Sequence, residues 1–525
     1  MVSPASEMQS RRVQNSPIGS VPRAAAGALL DEDLWLRSIH GAQSELHAPQ
    51  LAEVIEGAIP ADLHGTLLRN GPGSLSVQGT PLKNLIDGPG FVQAVCLHDG
   101  RATVQARFVE TQTKQREDAA GRPLFGTFSQ PPPYRFFDIL RGRMLAYPAN
   151  TNFVAHGGIG LALYENDWPY EIDLATLETS RAHGGTGHTN LGILRPSQCF
   201  SAHPRHHAES HSLYNLGCEH RRTWSWSEGV AAQTVLSLYR RDLSGTTVRC
   251  FEKTLRFPAA LVHDMVLTAN KAVILVSPLV LAPTLGVVLG LQSPDHAVKW
   301  RPELHSDLLV FDLQTQQMEH HTLPASLCFH LVNAFVTDGT LKLDACQFDN
   351  ADVVRITADM LQGRPVAHHQ AQLVRWQADA QGCWQSQPIG NVKLDWPRVA
   401  PADVGRPYRF IYGNTWDRLS ALPDLPVRVD LDTQQAEVRP LARPGLYAGE
   451  PLPVPKAPHL RVSPSDVYIL QMVDNVLTEA SELHIYDGAQ PTSPPLCRLQ
   501  MPVRLPYGFH TNWLDAHDKT QTALA

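Results

Sequence analysis

The sequence predicts an all-β protein, on three observations. The first is punctuation: 525 residues carry 41 prolines and 36 glycines. They are scattered rather than clustered, which breaks the chain into pieces too short for long helices. The second is a recurrence of short apolar runs of strand length. The third is the turn chemistry between those runs, such as Asp338-Gly339 and Asp487-Gly488. Many short strands at close intervals build a barrel, a sandwich or a propeller. No clean internal repeat selects among the three.

Taken in order, residues 272–277 (AVILVS) form an unbroken apolar run rich in β-branched residues, the pattern of a strand buried on both faces. Residues 308–313 (LLVFDL) repeat it. Residues 341–346 (LKLDAC) alternate apolar and polar positions, as a half-buried strand does. Residues 409–412 (RFIY), 467–473 (VYILQMV) and 483–486 (LHIY) complete the series. No internal linker interrupts it. The expected organisation is a disordered tail over 1–32, then a single catalytic domain over 33–525 whose last ten residues are loose.

Composition excludes several classes. The net charge is −7, with 18% charged residues and no long basic run, so there is no electrostatic footprint for nucleic acid. The hydrophobic share of 43% is that of a globular protein with a sizeable core. The eight cysteines form no CxxC pair and read as isolated buried thiols in a reducing compartment. The first 30 residues hold Ser, Pro, Arg and Ala, with Glu7 as their one acid and no apolar segment of a secretory signal. A disordered tail is favoured there over an organellar transit peptide. No run reaches the roughly 18–20 apolar residues that span a bilayer. The expected location is cytoplasmic, with peripheral membrane contact, and no protein partner is implied.

Four histidines, far apart in the chain, have distinctive contexts: Ser201-Ala202-His203-Pro204-Arg205, Leu261-Val262-His263-Asp264-Met265, Phe329-His330-Leu331-Val332-Asn333-Ala334-Phe335 and Tyr507-Gly508-Phe509-His510-Thr511-Asn512-Trp513. Imidazole is the commonest nitrogen ligand for a first-row metal at neutral pH. Four neutral ligands leave the full charge of a divalent ion in place. That suits an ion that binds and activates oxygen better than a closed structural site, which is thiolate-rich. The chain has 24 histidines, however, so spacing alone identifies no ligand.

Together with further segments these contexts resemble the carotenoid cleavage oxygenases, a family of non-haem iron enzymes. The resemblance runs from about residue 33 to 513. It includes Leu63-His64-Gly65-Thr66-Leu67-Leu68-Arg69-Asn70-Gly71-Pro72 and Asp87-Gly88-Pro89-Gly90, where the family has Asp-Gly-Asp-Gly. It continues through Asn150-Thr151-Asn152, the stretch from Ala162 to Asp173 containing Glu165, and Thr176-Leu177-Glu178-Thr179. Val404-Gly405-Arg406-Pro407-Tyr408 and Gly449-Glu450-Pro451 close it. The resemblance implies a seven-bladed β-propeller, with loops and short helices capping one face over an axial metal site. Its four ligands, on inner strands of different blades, would be His203, His263, His330 and His510, holding one Fe(II) with O2 as co-substrate.

A ligating histidine usually donates its other N–H to a carboxylate. By resemblance Glu165 supports His263 and Glu450 supports His510. The third family glutamate is Asp395 here, in Asp395-Trp396-Pro397. Aspartate falls about 1.5 Å short of a glutamate's reach, so the contact to His330 is expected to run through a water or to need an inward shift of the blade. Asp264 is read as a structural hydrogen-bonding group. His206, His207 and His211, His320 and His321, and His368 and His369 are read as histidines outside the site. Val336 stands where the family often has Glu, with no physical consequence that the sequence reveals.

Residues 279–291 (LVLAPTLGVVLGL) carry no charge. They are too long and too interrupted by Pro283 for one buried strand, and too short for a membrane span. Leu279, Leu281, Leu285, Val287, Val288, Leu289 and Leu291 are expected to lie in one leaflet or to line a tunnel mouth; a core helix capped by Pro283 is the alternative. The function implied is cleavage of a conjugated C=C bond of a carotenoid or apocarotenoid into two carbonyl products. Cleavage of the central bond of a stilbene-type phenylpropanoid is the alternative, and an inactive propeller scaffold a more distant one.

Overall fold

Backbone pairing in the computed structural model gathers the strands into seven sheets of three to six strands, plus two short two-stranded ribbons. The structure describes residues 34–133, 145–225, 229–362, 370–416, 422–439, 441, 445–456 and 465–516, with side chains 222–231 excepted. The expected terminal tails, apart from Ala516, and the pair His368 and His369 lie outside the described residues.

The seven sheets are the blades of a β-propeller, as the resemblance implies. Blade 1 is ordered Leu46–Leu51, Arg101–Phe108, Phe91–His98, Gly65–Asn70, His510–Asp515. Blade 2 has three strands, with Asn152–His156 at the axis. The inner strands of blades 3 to 6 are Arg205–His207, Met265–Leu267, Leu327–Thr337 and Asp395–Arg398. Blade 7 centres on Val467–Asn475, which pairs with Leu446–Ala448 and Leu452–Pro455 on its axial side. Both chain ends close the ring. The C-terminal strand His510–Asp515 pairs with Gly65–Asn70 in blade 1, while the early strand Glu53–Gly57 forms the outer edge of blade 7.

Each predicted apolar run matches an observed strand to within one residue, for example 272–277 with Lys271–Val276 and 467–473 within Val467–Asn475. Their side chains pack between blades. Leu67, Val95 and Val104 of blade 1 share one core cluster with Leu470, Leu483 and Leu499 of blade 7. Leu216 and Leu236 of blade 3 meet Ile274 and Leu309 of blade 4. Such interfaces leave the axial strand ends free to carry polar groups inward.

Buried amides stitch neighbouring blades. Asn70 donates to the carbonyls of Ala149 and Asn152, and Asn152 donates to that of Ala202, next to His203. Asn333 and Asn414 do the same from blades 5 and 6, to Asp403 and Gly449. A buried carbonyl left unpaired costs about 1–3 kcal/mol, so each amide fixes where the next blade begins. Among the described residues helices are few and short. The nine-residue Gln112–Ala120 starts at Thr111, whose Oγ1 accepts the Lys114 N–H at 3.1 Å, and stops at Gly121 with φ of 62°. Among the described residues no helix is long and apolar enough to cross a membrane.

Candidate metal centre

The four histidines enter the axis from blades 3, 4, 5 and 1. His203 and His263 each stand two residues before an inner strand, His330 lies within one, and His510 begins another. His330 is aimed by a bulge: pairing jumps from Cys328↔Gln347 to Leu331↔Ala345, leaving Phe329 and His330 outside the ladder. The ring centroids are 4.0 Å apart for His203 and His263, 4.6 Å for His203 and His510, and 5.3 Å for both His263 and His330 and His330 and His510. One ligand nitrogen from each of His203, His330 and His510 lies within 4.8 Å of the others; His263 groups instead with His203 and Glu165.

Each carboxylate named from the sequence touches an imidazole. Glu165 Oε1 accepts from His203 Nδ1 at 2.8 Å. The same oxygen is 3.2 Å from His263 Nδ1, which is out of line for a hydrogen bond. Glu165 therefore stands between two histidines, where the sequence reading gives it to His263 alone. Glu450 accepts from His510 Nδ1 at 3.2 Å, from Thr511 N at 2.6 Å and from Thr511 Oγ1 at 2.9 Å. Asp395 Oδ1 lies 2.7 Å from His330 Nδ1 with no water between. The expected shortfall is absorbed by the backbone: the ladder slips between Asp395 and Arg398, and Trp396 adopts a left-handed φ of 53°.

Electrostatics follow from burial and these pairs. Burial raises the Glu165 carboxyl, but the His263 and His203 imidazoles outweigh it and hold the group well below the usual carboxylate range. Burial likewise opposes the shift at Glu450, where Arg398 and His510 lower it. His203 is pushed down to about 3 by burial and by its neighbours His263 and His510. For His330 burial is outweighed by Asp395, which raises it.

The donor set fits a cation. A carboxylate facing Nδ1 keeps the proton on that nitrogen and turns the Nε2 lone pair inward. His203 Nε2 and His510 Nε2 are 2.9 Å apart. Two lone pairs at that separation repel unless a positive ion is shared between them. Among the described residues, the histidines read as outside the site do not join it. His206 is exposed. His207 is a satisfied buried residue, bonded to Ser210 Oγ and the Ala269 carbonyl, both at 2.9 Å.

Several residues escaped the sequence reading. Arg398 grips Glu450 through Nε and Nη2 at 3.1 and 3.0 Å and also donates to the Thr511 carbonyl. Arg205 pairs with Asp264, which also accepts the Met265 and Leu331 N–H groups, so one ion pair ties the strands behind His203, His263 and His330. Asp264 is thus the structural group the sequence suggests. Gly508 is fixed by Arg69, whose Nε would lie 2.1 Å from a Cβ there.

Above the histidines lies a cavity of about 260 Å³ with a wall of aromatic and aliphatic side chains. Phe329, Phe509, Trp396 and Tyr164 line it, and each is the sequence neighbour of His330, His510, Asp395 or Glu165. That adjacency was available in the sequence as a signal. Leu279 lines the cavity as well, from the ribbon Leu279–Leu281 paired with Val298–Trp300. Beyond Pro283 the chain forms the short helix Leu285–Val288, and Leu285, Val288, Leu289 and Leu291 are exposed. The core-helix alternative does not hold.

Comparison with known proteins agrees with this geometry. The sequence profile described as retinal pigment epithelial membrane protein matches residues 40–515. The apocarotenoid-15,15'-oxygenase of Synechocystis is 30% identical over 486 residues, covering 91% of this chain and 96% of that protein. The lignostilbene-alpha,beta-dioxygenase isozyme III of Sphingomonas paucimobilis is 26% identical over 508 residues, covering 88% and 93%. The crystal structure of cobalt-substituted Synechocystis apocarotenoid oxygenase superposes with a TM-score of 0.80 at 28% identity, covering 92% of this chain and 99% of that one. With its fold, its axial histidines and the profile match over nearly its whole length, the chain belongs to the retinal pigment epithelial membrane protein family, the carotenoid cleavage oxygenases.

Proposed function

We propose that this protein is an Fe(II)-dependent dioxygenase that cleaves a conjugated C=C bond of a carotenoid or apocarotenoid into two carbonyl products, with O2 as co-substrate. The observation that carries the reading is the convergence of imidazoles, their outer nitrogens facing buried carboxylates, at the floor of an apolar cavity. His203, His263, His330 and His510 would hold the iron. When bound, iron supplies the oxygen chemistry that no side chain can perform.

The chain's own residues do the rest. Glu165, Asp395 and Glu450 keep the Nδ1 protons in place and so fix ring orientation. Phe329, Trp396 and Phe509 hold a flat polyene against the site and exclude water. The apocarotenoid-oxygenase relative supports the carotenoid class, and the lignostilbene-dioxygenase relative keeps the stilbene class as the second reading. The exposed leucines beyond Leu279 support reversible contact with a membrane from which an apolar substrate is drawn.

The test is to load the protein with Fe(II), incubate it with a panel of carotenoids, apocarotenoids and stilbenes, and weigh the products. Paired carbonyl fragments whose masses sum to substrate plus O2 are expected. Absence of cleavage across the panel at full iron occupancy defeats the reading.

A further inference from the structure

Arg439 is a buried cation remote from the chemistry proposed above. It follows the outermost strand of blade 6, Gln435–Val438, and is 7% exposed. Its guanidinium lies over the ring of Tyr486 in blade 7, 3.6 Å from the centroid. Its Nε is buried and, among the described residues, has no hydrogen-bond partner. Burial lowers this guanidinium; of the groups around it, Tyr486 and Tyr412 oppose the shift and Arg428 adds to it. None of the three is a carboxylate.

Between blades 6 and 7 Arg439 lines a small cavity of about 10 Å³, room for one water-sized occupant. The other charged side chains that line it among the described residues are Arg428 and Glu437, and they neutralise each other: Glu437 accepts from Arg428 Nε at 2.8 Å and Nη2 at 2.6 Å. Arg439 is left as the surplus positive charge. Asp403 and Asp487 act on Tyr412 from outside the cavity wall, and Asp487 is paired with Lys456 at 2.7 Å. Tyr412 is 3% exposed, and its hydroxyl is buried at the same cavity without a partner. Gln471 lines it too, with Nε2 donating to Asn414 Oδ1 and the Gly449 carbonyl, and with Oε1 unpartnered. A water would join the Tyr412 O–H to Gln471 Oε1 and leave the charge of Arg439 as it is. A buried charge without a counter-ion costs far more than an unpaired amide oxygen. An anion accepts from the phenol and the guanidinium together and cancels the charge.

We propose that this crevice between blades 6 and 7 is a binding site for a small monovalent anion, of the size and charge of chloride, held by Arg439 and Tyr412. Pro451, which directly follows Glu450, lines the same cavity. The ion therefore seats against the segment that carries the Glu450 carboxylate and joins it to blade 6. The inference stands apart from the proposed reaction and does not depend on it.

The experiment moves the iron-loaded protein from chloride into gluconate at constant ionic strength and follows melting as chloride is returned. The parent's Tm is expected to rise by about 2–3 °C and to level off by about 100 mM, as for a ligand that binds only the folded state. A crystal soaked in bromide should show an anomalous peak within hydrogen-bond reach of Arg439 Nε and the Tyr412 hydroxyl. Arg439→Gln removes the charge and keeps a donor. It should melt cooperatively with no chloride dependence and retain the parent's iron content, which separates this site from chloride ligating the metal. A parent Tm that ignores chloride overturns the inference, as does a crevice that holds water and no bromide. A bromide peak with no saturable response in solution is binding at crystal concentration only and overturns it as well. So does a chloride dependence that survives in Arg439→Gln. Should that variant fail to fold, the two measurements on the parent decide.

Discussion

One methylene separates Asp395 from the glutamate that the resemblance leads one to expect there, and the backbone makes up the difference. A bulge and the left-handed Trp396 carry the shorter carboxylate to 2.7 Å from His330 Nδ1. Asp395→Glu is therefore expected to overshoot by about 1.5 Å and to weaken metal binding rather than restore it. Glu165→Gln and Glu450→Gln should each lower metal affinity or activity by roughly 10–100-fold, the usual effect of losing the group behind a ligand. Metal titration of the purified variants measures both; an Asp395→Glu variant with unchanged affinity would show that the bulge relaxes freely. Alanine at His203, His263, His330 or His510 should remove most bound iron, and His206→Ala should not, which metal analysis decides. The four converging histidines were legible because each sits in a local word of the sequence. The sharing of Glu165 between two imidazoles, and the hold of Arg398 on Glu450, were not, because they join strands of different blades.

Strands were the legible elements. A buried strand announces itself by an apolar run and its bounding turns, as in Lys271–Val276 and Val467–Asn475. The segment 279–291 was harder: Pro283 shows that it is not one strand, but hydropathy alone does not tell which side of the proline is buried. Its first part is a buried ribbon strand with Leu279 on the cavity; its second is a one-turn helix and the turn after it, with Leu285 73%, Leu289 47% and Leu291 52% exposed. Apolar surface of a few hundred Å² at about 25 cal/mol per Å² is worth several kcal/mol on transfer to lipid. That is enough for reversible adsorption and too little for permanent anchoring. Replacing Leu285, Leu289 and Leu291 with Ser should reduce sedimentation with phosphatidylcholine vesicles severalfold and slow turnover of vesicle-dissolved polyene. Because these side chains are already in water, Tm should move by no more than a degree or two. Undiminished vesicle binding would rule out this loop as the contact.

At the scale of the whole molecule the number of blades was not legible from periodicity. The sheets range from three to six strands, and what unites them is the axial geometry rather than a repeated sequence. The resemblance supplied the propeller, and the structure adds how it closes. The strand His510–Asp515 carries a proposed ligand and is also the inner edge of blade 1, pairing from Asn70↔His510 to Gly65↔Asp515. Leu514 belongs to the core cluster that joins Leu68 and Val92 of blade 1 to Phe153 of blade 2. Beside the seam Arg69 is buried over Gly508 and donates to Gln93 and the Pro506 carbonyl at 3.3 Å; its burial lowers the guanidinium to about 10. Loss of the proposed ligand and loss of the closure are therefore separable. His510→Ala removes an imidazole, keeps the backbone ladder, and should leave the apo-protein's Tm within a few degrees of the parent's while abolishing iron retention. Ending the chain after Phe509 removes the same imidazole together with the ladder and Leu514. It leaves Gly65–Asn70 with an unpaired edge and opens the core between blades 1 and 2. That truncated protein should lose its cooperative melting transition or aggregate on expression. Calorimetry of the two apo-proteins side by side decides it: a truncated chain that melts as cooperatively as His510→Ala, at the same temperature, would mean that the last strand serves the metal and not the ring.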